Sequence, residues 1–215
     1  MRILCVSDQV DPLVYSTRIR ERFGGIDLVL AAGDLPLEYL GFITSMLNCP
    51  LLYVEGNHDL GSVATGSPWV EAYELTSAFG TRNMGFRYGR EGGLTILGLP
   101  GSILYNRGPN QFSDLAMGLH ILALAPRLVF ERLVHGRAVD IVLTHAPPRG
   151  IHDREDPCHR GFSAFRTLIR LAKPRWFIHG HVHLYDLADV RTSVEGETTV
   201  INAFGHWILE TEEGR

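Results

Sequence analysis

Lysine is almost missing from this chain. Its 20 basic residues are 19 arginines and the single Lys173, set against 24 Asp and Glu, and the net charge is −4. With acid in slight excess, no global basic surface offers itself to nucleic acid. Cysteine is scarce too: Cys5, Cys49 and Cys158 form no CxxC pair and leave an odd count. That excludes a disulfide framework and fits a reduced, cytoplasmic compartment. No apolar run approaches the ~20 residues that a membrane span requires. The chain enters a strand pattern at once, with no signal-peptide pattern before it. Internal repeats, low-complexity segments and linkers are lacking as well, so one domain over residues 1–215 is expected. What is present is ordinary globular material, 45% hydrophobic and 20% charged, enough for a full core.

Against that background one recurrence stands out. Five short apolar runs each end in residues that bind metal or activate water. Arg2 to Ser7 runs into Asp8, and Ile26 to Ala32 into Gly33-Asp34. Leu51 to Val54 leads to Gly56-Asn57-His58-Asp59, Asp140 to Thr144 to His145, and Trp176 to Ile178 to His179-Gly180-His181-Val182-His183. Short, β-branched runs bounded by Gly and Pro predict buried strands. Ligands of α/β sheets bind at the carboxyl ends of strands, so five such ends predict one site assembled from distant segments.

The remaining pattern predicts helices over 13–23 and 36–47, giving a βαβαβ opening and a parallel sheet. Residues 60–80 read as loop with one helical turn. Met84 to Tyr88 and Leu94 to Leu99 read as strands. Phe112 to Val134 has helical spacing, with Pro126 at a start or a break. Phe162 to Leu171 reads as a helix, and Tyr185 to Val190, Thr198 to Ile201 and Trp207 to Leu209 as strands. Two packed sheets flanked by helices would house them.

Asp8, Asp34, Asn57, His145, His181 and His183 are oxygen and imidazole donors, with no thiolate among them. This set suits Mn, Fe, Zn, Co or Ni and argues against a cysteine-based structural zinc. A carboxylate such as Asp34 can bridge two cations, and two metals ~3.5–4 Å apart can clamp a phosphoryl centre. In Gly180-His181-Val182-His183 the i, i+2 spacing puts both imidazoles on one face of an extended segment. Glycine before Asp34, Asn57 and His181 is expected to supply sharp turns at the strand ends.

These motifs, in this order, resemble the calcineurin-like metallophosphoesterases. That family's pattern is D-x-H, G-D-x-x, G-N-H-[DE], a lone His after a strand, and G-H-x-H. The resemblance spans residues 8 to 183 and implies an α/β fold, a four-layer α/β/β/α double β-sandwich flanked by helices. It implies two divalent metal ions, manganese first, with Fe, Zn, Ni or Co as alternatives. Asp8 and His183 would bind the first metal, Asp34 would bridge, and Asn57, His145 and His181 would bind the second. His58 would be the catalytic histidine that assists the leaving oxygen, and Asp59 would orient its ring. The implied activity is a phosphoesterase, a phosphodiesterase in the first instance, in which metal-activated water attacks phosphorus in line. Its substrate would be a small-molecule or nucleotide phosphoester.

One departure is plain: Val10 stands where the first motif has histidine, and valine coordinates nothing. Three protein ligands would still leave a site with open positions. Asp11 could compensate, although a turn before Pro12 gives it another use; Gln9 is expected to face away. Val10 favours an alternative, a weakened site on a fold that serves as a protein- or ligand-binding module, as a retromer subunit of this fold does. The polar segment 150–161 follows His145, and its His159 and Arg160 could meet a phosphate; a solvated loop is the competing reading. Asn106 and Arg107 could come from another loop over the site. His179 is expected to point away from His181, and His120, His135 and His206 to be structural or surface residues. Oligomeric state has no readable signal.

Overall fold

The computed structural model describes residues 1–59, 80–186 and 188–211. The loop expected at 60–80 therefore lies, Gly80 apart, outside the described residues. One sheet contains parallel β1 (Arg2–Ser7), β2 (Leu28–Ala31), β3 (Leu51–Tyr53) and β4 (Thr81–Asn83), side by side. Its other edge is β13 (Gly205–Glu210), antiparallel to β1 with Cys5 opposite Trp207. The second sheet runs in the order β11 (Thr192–Glu195), β12 (Thr198–Asn202), β10 (Trp176–His179), β9 (Ile141–Thr144), β6 (Leu94–Leu99) and β5 (Arg87–Glu91). Its middle is parallel and both edge strands are antiparallel. A small pair, β7 (Ser102–Ile103) and β8 (Gln111–Phe112), stands apart.

The four layers follow from strand alternation. On β1, Ile3 and Cys5 enter the core between the sheets, where Leu28, Leu30, Ile141, Leu143 and Ile178 meet them. Leu4 and Val6 point the other way, onto α1 (Ile19–Arg22) and α2 (Leu37–Leu47) through Ile19, Tyr39, Leu40 and Ile43. The second sheet does the same with α3 (Asp114–His135) and α4 (Ser163–Ala172): Val142 and Phe177 pack on Met117, Phe165 and Ile169. Strands covered on both faces need apolar residues at every position, which is why they read as continuous runs. Each such side chain contributes ~1.5–3 kcal/mol by leaving water.

Several local expectations are corrected. The helix expected over 13–23 shrinks to Ile19–Arg22. Asp11 Oδ1 accepts from the Leu13 amide and Ser16 Oγ from the Arg18 amide, so side chains take the hydrogen bonds a helix would use. The strand expected at 84–88 shifts to Arg87–Glu91; Met84 is buried between the sheets, and Phe86 takes a left-handed turn at φ 52°. Among its described residues the segment from Tyr185 to Val190 is no strand. Asp186 and Asp189 hold it in turns, and the strand begins at Thr192. Helix α3 runs through Pro126, which lies on an exposed face. Ser113 caps its start and Gly136, at φ 77°, ends it. No helix among the described residues is long and apolar enough to cross a membrane.

Phe177 is fully buried and tilts against Phe165 with 5.6 Å between ring centres. Phe177→Ala is expected to cost about 3–5 kcal/mol of stability. Urea unfolding followed by circular dichroism measures it, and a loss under about 1 kcal/mol, far below the range for such a truncation, would mean that the outer core does not carry this sheet.

Candidate metal centre

Asp8 follows β1, Asp34 comes shortly after β2, Asn57 after β3, His145 directly after β9, and His181 and His183 after β10. Each therefore sits at the carboxyl end of a parallel strand. Three of them are held in left-handed backbone, Asp8 at φ 61°, Asp34 at 56° and His181 at 68°. Non-glycine residues avoid this region, and each such residue costs on the order of 1–3 kcal/mol. The chain thus turns at the donors themselves. Of the preceding glycines only Gly33, at φ 94°, turns in the way the sequence suggests. At Gly56 a Cβ would overlap Asp34 Oδ1, and at Gly180 it would overlap Ser7 Oγ and Asp8 Oδ2. Those two positions are glycine because neighbouring segments approach too closely for any side chain.

Four donors converge. His145 Nε2 lies 3.1 Å from Asn57 Oδ1, 3.1 Å from His181 Nδ1 and 3.3 Å from Asp34 Oδ2. The opposite ring nitrogens are both committed: His145 Nδ1 is 2.7 Å from the Ala32 carbonyl and His181 Nε2 is 2.6 Å from the Cys158 carbonyl. A carbonyl only accepts, so each of these nitrogens carries its proton. In the neutral rings the two inward nitrogens then face each other as lone pairs, beside a carboxylate and, as assigned, an amide oxygen. Tyr105 fixes that amide by accepting from Asn57 Nδ2 at 3.3 Å. Such a group of acceptors is stable only around a positive charge. Asp34, His145 and His181 lie close enough together to share one metal ion.

Without a metal, that charge is a proton. Burial disfavours it on His145, but Asp34 and Asp8 outweigh burial and raise the His145 pKa to about 9. Burial also tends to raise Asp34, yet His145 draws it down to about 2. Burial and the neighbouring His145 charge hold His181 near 3, in its neutral form.

A second position opens beside the first. Asp8 Oδ2 accepts from Ser7 Oγ at 2.5 Å and from the His181 amide at 2.9 Å. Its Oδ1 is buried with no hydrogen-bond partner among the described residues and lies 3.8 Å from His183 Nε2. Burial raises the Asp8 pKa, as expected for a carboxylate left half-satisfied. The His183 ring stacks on Phe204 and its Nδ1 meets the Tyr185 hydroxyl at 2.6 Å, which leaves Nε2 facing inward.

The chain matches the model of the calcineurin-like phosphoesterases over residues 1–185. It belongs to that family. One crystal structure superposes with a TM-score of 0.69 at 16% identity, covering 97% of this chain and 94% of the other. TT1561 of Thermus thermophilus gives 0.62 at 15% identity, covering 95% and 89%. A structure described as a novel archaeal phosphodiesterase gives 0.48 at 15% identity, covering 98% and 94%, too loose a match to bear on function. No curated relative matches the chain. The likenesses to solved structures establish the phosphoesterase fold, which here is the two-sheet sandwich with flanking helices.

Other residues singled out in the sequence fall as follows. His58 is exposed beside the cluster, and its amide donates to Asp34 Oδ1 at 2.9 Å. Asp59 does not meet the His58 ring. Its Oδ2 instead accepts from the Asp34 amide at 2.9 Å and the Gly56 amide at 2.7 Å, pinning two strand ends together. His159 tilts over His181 with 5.3 Å between ring centres, while Arg160 is exposed and makes no ion pair among the described residues. Asn106 braces its own loop through Gly108 and Gln111, and Tyr105 of that loop is the residue that reaches the site. Val10 is 38% exposed. Asp11 is engaged elsewhere: His206 Nδ1 meets its Oδ2 at 2.6 Å and the Leu13 amide donates to its Oδ1 at 2.8 Å. His179 turns away onto His152 at 2.9 Å. Ser7, Tyr105, Arg154 (2.9 Å from the His183 carbonyl) and the Cys158 carbonyl carry no motif that would have marked them.

At pH 7 metal-free His145 is protonated, so a metal entering there must displace that proton, and affinity should rise with pH until about 9. Calorimetry of Mn(II) binding in two buffers of different ionisation enthalpy is expected to show release of about one proton per metal at this position. Binding with no proton release would mean that the metal goes elsewhere.

Proposed function

We propose that this chain is a phosphodiesterase acting through two divalent cations, with manganese the first candidate. The observation that carries the reading is the facing of His145 Nε2 and His181 Nδ1 beside Asn57 Oδ1 and Asp34 Oδ2. His145, His181 and Asn57 would hold one cation, Asp8 and His183 the other, and Asp34 would serve both; Asp8 Oδ1, buried and without a hydrogen bond among the described residues, fits that use. When bound, the cations supply a water of lowered pKa and offset the charge that develops at phosphorus.

The chain's own residues do the rest. His58 has its backbone tied to Asp34 and its side chain exposed, and would give its proton to the departing oxygen. One acid suits a diester, in which a single ester oxygen leaves. Asp59 is a positioning residue in this scheme: through the Asp34 and Gly56 amides it sets the distance between two donor segments. His159 and Arg160, on the loop that also offers the Cys158 carbonyl to His181, would meet the phosphate oxygens, Arg160 by a two-pronged contact. A small-molecule or nucleotide phosphodiester fits these roles.

A second reading, a binding module with a weakened centre, draws on Val10. Asp11, engaged by His206, is not free to make up for the absent imidazole. The two readings separate on hydrolysis of a chromogenic phosphodiester after chelation and return of Mn(II). Restored activity that vanishes in Asp34→Asn is expected, whereas a folded protein inert with every divalent metal would favour the binding module. His58→Ala should lower kcat about 100-fold or more with metal content unchanged; an undiminished kcat would remove His58 from the chemistry. Val10→His should lower the Mn(II) concentration needed for half-maximal rate. An unaltered metal dependence would show that a side chain at position 10 does not reach the metal.

A further inference from the structure

Helix α3 carries an apolar stripe that the described residues leave uncovered. Of its 22 residues only Met117, Leu128 and Glu131 are buried. Leu115, Leu119, Leu122, Val129 and Leu133 are exposed by 74%, 58%, 65%, 56% and 80%. With the exposed Pro126 among them, they follow the alternating four-and-three spacing of a coiled-coil seam. Phe130, Val134 and, from α4, Leu171 widen the stripe, each more than half exposed. The residues beside the seam in its first half, Ala116, Gly118, Ala123 and Ala125, are small enough to let another helix approach closely. A soluble monomer rarely shows so much apolar surface in one place.

We propose that this face joins two copies of the chain through an antiparallel, two-fold symmetric pairing of their α3 helices. The seam is its own complement. Reversed about a centre between Leu122 and Pro126, it sets Leu115 against Leu133 and Leu119 against Val129, which is the pattern a two-fold contact demands. Charge selects the direction. Asp114 opens the helix, while Arg132 lies in its last turn and pairs with no acid among the described residues. Glu131, near that end, is buried and already satisfied by Arg90, Arg127 and His135. Antiparallel pairing brings Asp114 to the basic end of the partner helix, and opposed helix dipoles add to the preference. Parallel pairing would stack the basic ends. The helix is about 33 Å long, and its exposed apolar side chains amount to on the order of the ~800 Å² that each partner gives to a stable interface. Helix α3 lies in the outer layer over the second sheet, whereas the metal centre lies at the strand ends, so pairing leaves that centre open.

Light scattering on the intact chain at micromolar concentration is expected to give twice the 24.0 kDa of one copy. The Leu119→Glu/Leu133→Glu variant should give a single copy with an unchanged far-ultraviolet spectrum, since both side chains already face water. Mixing Leu115→Cys and Leu133→Cys chains should yield the crossed disulfide, identified by peptide mass. A wild-type monomer throughout the micromolar range would overturn the proposal. So would a dimer that survives the double glutamate variant, disulfides formed only between like positions, or a monomer that binds neutral lipid vesicles through this face.

Discussion

Acceptor atoms brought together around one point, with room for a single positive charge among them, are the constraint on which this structure turns. His145, His181, Asn57 and Asp34 press lone pairs toward one point, and backbone carbonyls occupy the nitrogens that might have relieved them. Such a cluster repels itself unless a metal ion or a proton supplies the missing positive charge. Much of the surrounding architecture can be understood as what holds it in place. Left-handed backbone at Asp8, Asp34 and His181 aims the donors, and the missing side chains at Gly56 and Gly180 let distant segments close to contact. The Asp59 carboxylate ties the β2 and β3 ends together by their amides. Strain of this kind persists only where the rest of the fold over-determines it, and here the two-faced burial of the strands does so.

The centre was legible because its donors sit at the ends of strands buried on both faces. A run such as Ile141 to Thr144 has one reading as a strand, and whatever follows it must emerge at the sheet's edge. What escaped was set by side chains acting on backbone. Asp11 and Ser16 break the first helix by capping turns, and Asp186 and Asp189 do the same where a strand was expected. The carbonyls of Ala32 and Cys158, which fix two imidazoles, have no sequence signature at all. Of the glycines expected to turn the chain, those at 56 and 180 serve proximity and not turning, a distinction only tertiary contacts can draw.

The two halves of the centre are unequal. Around His145 the donors are buried, cross-braced and close together. Around Asp8 the carboxylate is buried but His183 is 39% exposed at its side chain, and Val10 offers no donor. Position 10 lies on the exposed rim, away from the buried donors around His145, so an imidazole missing there leaves those donors in place. Loss of a ligand at the rim is therefore the kind of change this architecture can absorb without unfolding its core.

The pairing of β1 with β13 also governs how the protein is made. The strand that delivers Asp8 leaves the ribosome before every other strand described, and its antiparallel partner, with Ser7 opposite Gly205, leaves after all of them. All six candidate ligands emerge before that partner does. A nascent chain thus presents its full set of metal donors while β1 is still unpaired on one side. Such a long-range closure is slow by topology.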